Sequence, residues 1–262
     1  MIEQEKQLID EFRRFDFSTE PVCNTLEEKM LYQIIKDKNF WNDWFDTSAH
    51  NAPPPDFYSD KYKMMMDVMK VEDNSRKTKS GKLRNPKAEE EKKIYNLLKQ
   101  FGIFQLDDVY PKIIVRTGLP TKEDHRFEWY YNNFKRVLSE HNKKIPLYKK
   151  NHKGYSTIFF VFDESTAYVQ MYAGQNYTNL QIGQKINGIL HYAVDDEAFQ
   201  DVIKSTEADY IIWFMPYKNY MGYETMESQP LPKVAIIDIK ALKQGKISCT
   251  HYIHSLMISA EA

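Results

Sequence analysis

The stretch that decides the fold is APPPDFYSDKYKMMMDVMKVED, residues 52–73. Its three consecutive prolines hold the chain extended and lead directly into Asp56. Residues 62–71 are dominated by Met and Val, which predicts a buried strand that Asp67 interrupts. Two carboxylates on neighbouring strands supply the oxygen ligands that divalent cations prefer. The stretch therefore predicts a hairpin that carries a metal site.

The rest of the first half supplies helices on either side of this stretch. Residues 1–17 have apolar side chains at helical spacing, and a second helix begins at Asn24 or Thr25. Thr25 with Glu28 forms the pattern of a capping box. The other predicted elements are an extended aromatic stretch at 40–51, a polar and basic linker at 74–87, a helix at 87–101 and a strand at 112–116.

The second half alternates helices and strands, which is typical of a mixed α/β sheet with helices packed on it. Residues 156–162 and 166–172 read as two strands joined by a turn at 163–165, which predicts a hairpin. We expect residues 1–118 and 119–262 to form two parts, or together one continuous domain. The other predicted elements are a helix at 121–141, a basic loop at 143–155, a helix near 195–205 and strands at 210–215 and 234–239.

The composition is that of a folded protein without a strong overall charge. The 262 residues are 42% hydrophobic and 14% aromatic, enough for one large or two small globular domains. Because the formal net charge is −1, a nucleic-acid partner would have to be held by a local basic patch. The two cysteines fit no metal-ligand spacing, and no stretch resembles a signal peptide or a membrane span. We expect a soluble, cytoplasmic protein without a membrane partner.

Residues 24–117 read as a helix, three strands, a helix and a strand. This is the order of elements in the core of the PD-(D/E)XK nuclease superfamily, which the segment resembles. In that superfamily a helix glutamate and two strand acids bind the metal. The resemblance implies that Glu28 (or Glu27), Asp56 and Asp67 hold Mg²⁺ and that the protein cleaves phosphodiester bonds.

The catalytic lysine of the superfamily has no direct counterpart, because its position is occupied by Met69. Lys70 is one residue further on and would point to the opposite face of a strand. Lys63 precedes Asp67 by four residues and would share its face, so the resemblance leaves Lys63 or Lys70 for this role. The alternative is that Asp56 caps a turn and Asp67 pairs with a basic residue, because an unpaired buried carboxylate is costly.

A second carboxylate set lies in the second half of the sequence. Asp209 precedes one predicted strand, and Asp238 and Lys240 lie two residues apart at the end of another. Both would face one side of that strand, which is the (D/E)xK spacing that the first set lacks. Alternatively, they are strand-end residues in solvent. His251 and His254 lie three residues apart without an evident third ligand, which favours a structural role.

Two basic stretches are candidates for contact with phosphate. The first lies in the linker at 74–87, where a solvated loop is an equal explanation. The second has aromatic residues among its lysines, a composition that suits tracking of a nucleic-acid backbone with occasional base stacking. Its basic residues are Lys143, Lys144, Lys149, Lys150 and Lys153, interleaved with Tyr148, His152 and Tyr155.

The whole chain also resembles an uncharacterised family of proteins from Gram-positive bacteria and their mobile elements. That resemblance is carried by PPPDFYSDKYKMMMDVMKVED, LPTKEDHRFEWYYNNFKRV, NHKGYSTIFFVFDES and DYIIWFMPYK. It implies a biological setting and no particular reaction. The leading hypothesis is a metal-dependent, nuclease-like protein that acts on or binds nucleic acid. The alternative is a non-enzymatic protein that binds a host or phage protein through exposed Tyr, Phe and Met side chains.

Overall fold

A mixed β-sheet with helices on both faces is the centre of the computed structural model. The structure describes residues 4–16, 19–47, 55–74, 76–77, 83–84, 125–174, 188–218 and 231–260, with single residues at 93, 94, 97 and 100. The helices are α1 (Gln4–Arg14), α2 (Leu26–Lys36), α3 (Phe40–Asp43), α4 (Phe127–Asn142), α5 (Ile145–Asn151), α6 (Glu197–Lys204) and α7 (Ile239–Lys243). The strands are β1 (Val22–Cys23), β2 (Phe45–Asp46), β3 (Phe57–Ser59), β4 (Met64–Val71), β5 (Arg76–Lys77), β6 (Leu83–Arg84), β7 (Ser156–Asp163), β8 (Tyr168–Met171), β9 (Gly188–Leu190), β10 (Tyr210–Phe214), β11 (Val234–Asp238) and β12 (Met257–Ser259).

Seven of these strands form the main sheet, in the order β1-β11-β10-β7-β4-β3-β2. The three central strands β4, β7 and β10 run parallel to one another. β3 and β2 continue from β4 as an antiparallel meander. On the other side, β11 is antiparallel to β10, and β1 is parallel to β11. A mixed sheet covered by helices is the α/β class that the sequence predicts.

Side chains of the central strands alternate between two apolar cores. In β4, Met65 and Met69 belong to the core shared with α4, α5 and α6, which we call the first face. Met66 and Val68 belong to the core shared with α1, α2 and α3, the second face. Because both faces of the sheet are covered, the central strands are continuous apolar runs. Asp67 lies between Met65 and Met69 in the alternation, so its side chain points to the first face.

The local sequence signals at α2 and β4 are confirmed. The Thr25 side chain accepts a hydrogen bond from Glu28 N at 3.1 Å, and Glu28 Oε2 accepts from Thr25 N at 2.9 Å, which completes the capping box. The buried strand predicted at 62–71 is β4, and the helix predicted at 1–17 is α1. Patterns carried by a few adjacent residues therefore placed these elements correctly.

The hairpin predicted at 156–172 is wrong. β7 pairs with β4 and β10, whereas β8 belongs to a separate three-stranded sheet in the order β12-β8-β9. The chain leaves the main sheet at Asp163, whose Oδ1 accepts from Ser165 N at 2.9 Å and from Ser165 Oγ at 2.6 Å. This local side-chain turn redirects the chain after β7, so the two consecutive strands do not pair.

Three other stretches differ from their predictions. The aromatic stretch at 40–51 begins with the short helix α3 before β2, and the linker at 74–87 contains the paired strands β5 and β6. The basic loop at 143–155 contains α5, whose first turn holds a proline. Proline is favoured there because its missing N–H would have no partner in the helix.

No helix within the described residues has the length and apolar character needed to cross a membrane. The strand predicted at 112–116 and the division between 118 and 119 lie outside the described residues, as does most of the helix predicted at 87–101. The main sheet contains strands from both sides of that division, since β4 and β7 are paired along their whole length.

Candidate functional site

Asp56 and Asp67 meet across the antiparallel pair of β3 and β4. The register pairs Phe57 with Met66, which places Asp56 opposite Asp67 just before β3 begins. The two carboxyl groups lie close enough to interact electrostatically, and Asp56 Oδ2 accepts from Val68 N at 2.7 Å. Burial, and then the charge of Asp67, raise the pKa of Asp56 well above its usual range. We call these two residues the acid pair.

Asp67 is held by two side chains from the helices above it. Its Oδ2 lies 2.6 Å from Nδ1 of His141, in the last turn of α4, and accepts from the hydroxyl of Tyr148 in α5 at 3.0 Å. Asp67 is only 2% exposed, and Tyr148 is buried. Burial and the neighbouring Asp67 raise the pKa of Tyr148, so its hydroxyl keeps its proton and donates. The buried ring of Tyr148 is not available for the nucleic-acid contact predicted for it.

Glu28, the third predicted metal ligand, lies away from the acid pair. It belongs to α2, which covers the second face, whereas Asp67 points to the first. Its Oε1 accepts from Asp238 N at 2.7 Å, and its Oε2 accepts from Thr25 N. Both oxygens therefore cap α2 and join it to β11, which is three strands from β4 in the sheet. The structure therefore does not bring Glu28 together with Asp56 and Asp67, the other two predicted metal ligands.

The contacts that the structure describes for Lys63 and Lys70, the two predicted catalytic lysines, are with residues other than Asp56 and Asp67. Lys70 Nζ lies 2.8 Å from Glu164 Oε2 and 3.8 Å from Glu72 Oε1, on the face of β4 opposite to Asp67. Lys63 lies in the turn before β4, with a left-handed backbone (φ 53°), and its Nζ is 3.3 Å from the Tyr155 hydroxyl. The basic side chain that contacts the acid pair is the imidazole of His141 instead.

The acid pair supplies carboxylate oxygens, which are the ligand type expected for the predicted magnesium site. Within the described part of the chain, no group of three or more His, Cys, Asp or Glu side chains is arranged to hold a metal ion. Mg²⁺ often takes one or two protein carboxylates, with water and substrate phosphate completing its shell. Asp56 and Asp67 fit that pattern in ligand type, and any further ligands would come from water and substrate.

The second-choice set does not form a (D/E)xK site, because β11 ends at Asp238. Asp238 is the N-cap of α7, and its Oδ1 accepts from Lys240 N at 2.8 Å and from Ala241 N at 3.1 Å. Lys240 is thus an exposed residue of the first helical turn and not a strand residue. Asp209 accepts from Thr157 N at 2.7 Å. These acids terminate structural elements.

The lysines of the second basic stretch lie around α5. Lys143 and Lys144 are exposed between α4 and α5, and Lys150 and Lys153 are exposed at the other end of α5. Lys149 is half-buried and donates from Nζ to the Glu207 carbonyl at 3.2 Å. Four of the five predicted lysines are therefore presented to solvent close to the acid pair, because Tyr148 of the same helix contacts Asp67.

Four aromatic rings form a row beside the acid pair, and we call this set the ring row. Phe45 of β2 stacks on Tyr58 of β3, with ring centroids 5.0 Å apart. Tyr58 contacts His152 at 4.4 Å, and His152 contacts Tyr155 at 5.2 Å. Tyr58 follows Asp56 by two residues, so both side chains lie on the same face of the chain at β3. The row joins the edge of the sheet to the connection between α5 and β7.

A polar cluster that sequence reasoning missed lies at the carboxyl ends of β4, β7 and β10. Asp73, two residues after β4, lies 3.1 Å from His125 Nδ1 and accepts from the Tyr168 hydroxyl at 2.7 Å and from Thr166 N at 3.0 Å. Burial alone would raise the pKa of Asp73, but these hydrogen bonds and the charge of His125 outweigh it and lower the pKa. Open α/β sheets commonly bind ligands at this edge.

Lys218, four residues after β10, is the buried cation of this cluster. Its Nζ bonds to Ser165 Oγ and lies 3.6 Å from Asp163 Oδ2. Asp163 also accepts from the Tyr130 hydroxyl at 2.6 Å. The Ser165 hydroxyl donates to Asp163 and accepts from Lys218, so it links two charges and is not arranged as a nucleophile. The sequence does carry one signal for this cluster, because a polar residue follows each of the buried strands β4, β7 and β10 within a few positions.

A third polar cluster involves three of the histidines. His191 Nε2 and His254 Nε2 lie 2.8 and 2.9 Å from the same oxygen, Oδ2 of Asp196. Burial lowers the pKa of His191 to about 4. His251 lies 2.9 Å from Glu197 at the start of α6. These contacts join the last described segment to α6, which is consistent with the structural role predicted for His251 and His254.

Comparisons of the chain with protein-family models, with curated proteins and with solved structures found no match. The resemblances to the PD-(D/E)XK superfamily and to the Gram-positive family therefore stay predictions. The functional interpretation rests on the acid pair, the ring row and the exposed lysines of this chain.

Proposed function

We propose that this protein is a metal-dependent, nuclease-like protein that binds nucleic acid beside β3 and α5 and acts on it at the acid pair. The observation that carries the proposal is the position of the acid pair. Asp56 and Asp67 face each other on one side of the sheet, next to the ring row and the exposed lysines of α5. Acidic groups that adjoin a basic and aromatic surface suit phosphodiester chemistry.

The arrangement of the elements around the pair supports this proposal. A helix, α2, precedes the meander β2-β3-β4, and the chain then crosses through α4 into β7, which is parallel to β4. With the short elements α3, β5, β6 and α5 set aside, this order is similar to the helix, three-strand, helix and strand order predicted for residues 24–117. The crossover helix and last strand are, however, α4 and β7 and not the segments predicted at 87–101 and 112–116.

Each residue at the pair has a role that follows from its contacts. Asp56 and Asp67 would hold Mg²⁺, which when bound neutralises charge that develops on a phosphate. His141 and Tyr148 fix the orientation of Asp67, because both bond to its Oδ2. Val68 N orients Asp56. The exposed lysines of α5 attract the nucleic-acid backbone.

The direct test is cleavage of labelled single-stranded and duplex DNA and RNA with Mg²⁺ or Mn²⁺ and with EDTA. We expect cation-dependent cleavage that Asp56→Asn reduces by a factor of about 100 or more, a typical loss when a group that stabilises the transition state is removed. Asp201→Asn is the matched control, because Asp201 is an exposed acid on α6. Cleavage that persists in Asp56→Asn, or is absent for every substrate, contradicts the proposed activity.

A second candidate function is binding of a protein partner, and one observation favours it. Leu26 and Met30 lie one turn apart on α2 and are 69% and 53% exposed. Two large apolar side chains exposed together suit a small interface. A partner that binds the wild type and Asp56→Asn but not Leu26→Glu would support this function, with Leu147→Glu, also at an exposed leucine, as the control.

A further inference from the structure

We propose that the ring row selects single-stranded nucleic acid, with bases stacked on its rings and phosphates next to the acid pair. This inference rests on the proposed function, because it names the substrate class of the same site. It uses features that the nuclease resemblance does not supply: Phe45 at the sheet edge, and the continuation of the row into the segment after α5.

The four rings contact one another in succession, and the row ends at an exposed ring. Successive centroids lie 5.0, 4.4 and 5.2 Å apart along Phe45, Tyr58, His152 and Tyr155. The first pair is nearly parallel, with an interplanar angle of 24°. Phe45 is 51% exposed, so the row ends in a ring that is open to a base. A buried core pair would not leave such a ring in solvent.

The strand state of the ligand follows from how a ring contacts a base. In a duplex, each base face is covered by the neighbouring base pair, so a side chain cannot stack on it without opening the helix. Unpaired bases offer their faces, and stacking on aromatic side chains tolerates any sequence. The ring row is therefore expected to bind single strands of DNA or RNA in preference to a duplex.

The charges around the row suit a polyanion. Lys63 Nζ lies 5.0 Å from the Tyr155 ring centroid. Lys150 and Lys153 are exposed, and within the described residues neither has a hydrogen-bond or ion-pair partner. An acidic group also lies here, since Asp60 accepts a hydrogen bond from the Tyr155 hydroxyl. That carboxylate holds the ring in place, and the lysines remain for phosphate contacts.

The ring row lies beside the acid pair, so a strand that binds on the row would have its phosphates near the site of the proposed cleavage. Tyr58 is two residues from Asp56, about 7 Å along the strand at the usual rise. A base that stacks near Tyr58 therefore brings its phosphates close to the acid pair. Lys150, near the end of α5, and Lys153, just after it, are exposed on either side of His152 in the chain, where the backbone would run on.

The test is fluorescence anisotropy with labelled oligo(dT), oligo(U) and a duplex, each of about 12 nucleotides, a length in the usual range of single-strand sites. EDTA is present so that binding is measured without cleavage. We expect one or both single strands to bind at least tenfold more tightly than the duplex. Phe45→Ala should weaken single-strand binding by about 5- to 100-fold, the range found for loss of one stacked base.

Tyr172→Ala is the matched control, because Tyr172 is an equally exposed ring that follows β8 of the three-stranded sheet. The double variant Lys150→Ala with Lys153→Ala leaves every ring in place and should lower the salt slope for single strands by about 1.4. Equal binding of duplex and single strand, or an unchanged affinity in Phe45→Ala, would overturn the inference. Single-strand binding without any cleavage would support it while contradicting the proposed activity.

Discussion

Asp56, just before β3, lies directly opposite Asp67 of β4, and burial together with the charge of Asp67 raises the pKa of Asp56. Two charged acids in such positions would repel each other. A proton on Asp56 removes that repulsion, in agreement with the raised pKa of Asp56. The two acids are not equivalent, however, because Asp67 also accepts hydrogen bonds from side chains of α4 and α5.

We therefore predict different stabilities for the two amide variants. Asp56→Asn should cost at most about 1 kcal/mol, because an amide can accept from Val68 N and donate to Asp67. Asp67→Asn should cost about 1–3 kcal/mol, because Tyr148 and His141 lose a carboxylate acceptor in a buried site. Urea unfolding of the two variants and the wild type measures both values. Equal losses in both variants would contradict this assignment.

Glu28 is predicted to be a structural residue. Glu28→Ala should lower the free energy of unfolding by about 1–3 kcal/mol, because the half-buried N–H groups of Thr25 and Asp238 lose their acceptor. Glu27→Ala is the control on the exposed side of the same helix turn and should change it by less than about 0.5 kcal/mol. The loss in Glu28→Ala should be the same with and without Mg²⁺. A loss that appears only with Mg²⁺ would return Glu28 to the metal site.

Removal of the buried ammonium group of Lys218 should be among the most damaging single changes. Lys218→Met leaves Asp163 buried next to Ser165 without this cation, and we expect a loss of about 3–5 kcal/mol. Lys240→Met, at an exposed position of α7, is the matched control and should have little effect. Thermal unfolding of both variants compares them. A small loss in Lys218→Met would show that the cation is dispensable for the fold.

The contribution of His191 to stability should fall as the pH falls between about pH 6.5 and pH 4. Burial lowers the pKa of His191 from 6.5 to about 4, so in this window the unfolded chain binds a proton that the folded protein does not. This difference adds a positive term to the slope of stability against pH in this range. His191→Gln removes that term and should lower the slope. Unfolding at several pH values gives the slopes.

The parts of the fold that could be predicted are those decided by neighbouring residues. Thr25 and Glu28 are three residues apart, and the apolar run of β4 is continuous, so both elements could be found without knowledge of any distant contact. The strands of the supposed hairpin at 156–172 were also found. Their pairing was wrong, because β7 satisfies its backbone with β4 and β10 from distant parts of the chain.

The candidate site shows the same division. Asp56 and Asp67 could be singled out from one stretch, and the structure brings them together. Their partners His141 and Tyr148 lie 74 and 81 residues after Asp67, and no local pattern connects them. The cluster around Lys218 forms because β4, β7 and β10 are neighbours in the sheet, and no short stretch of sequence indicates that strand order. The same Asp238 that looked like a strand-end acid became a helix cap once β11 ended there.

The pairing of β1 with β11 has a consequence for how the protein is made. Val22 and Cys23 are synthesised 213 residues before their partners Ala235 and Ile236. Until then β1 has no neighbour to bond with, and the edge of β10 that β11 will cover is open. A nascent chain with an uncovered strand edge is exposed to wrong pairings with other chains. Completion of this sheet therefore has to wait for β11, although β1 and β10 are made before it.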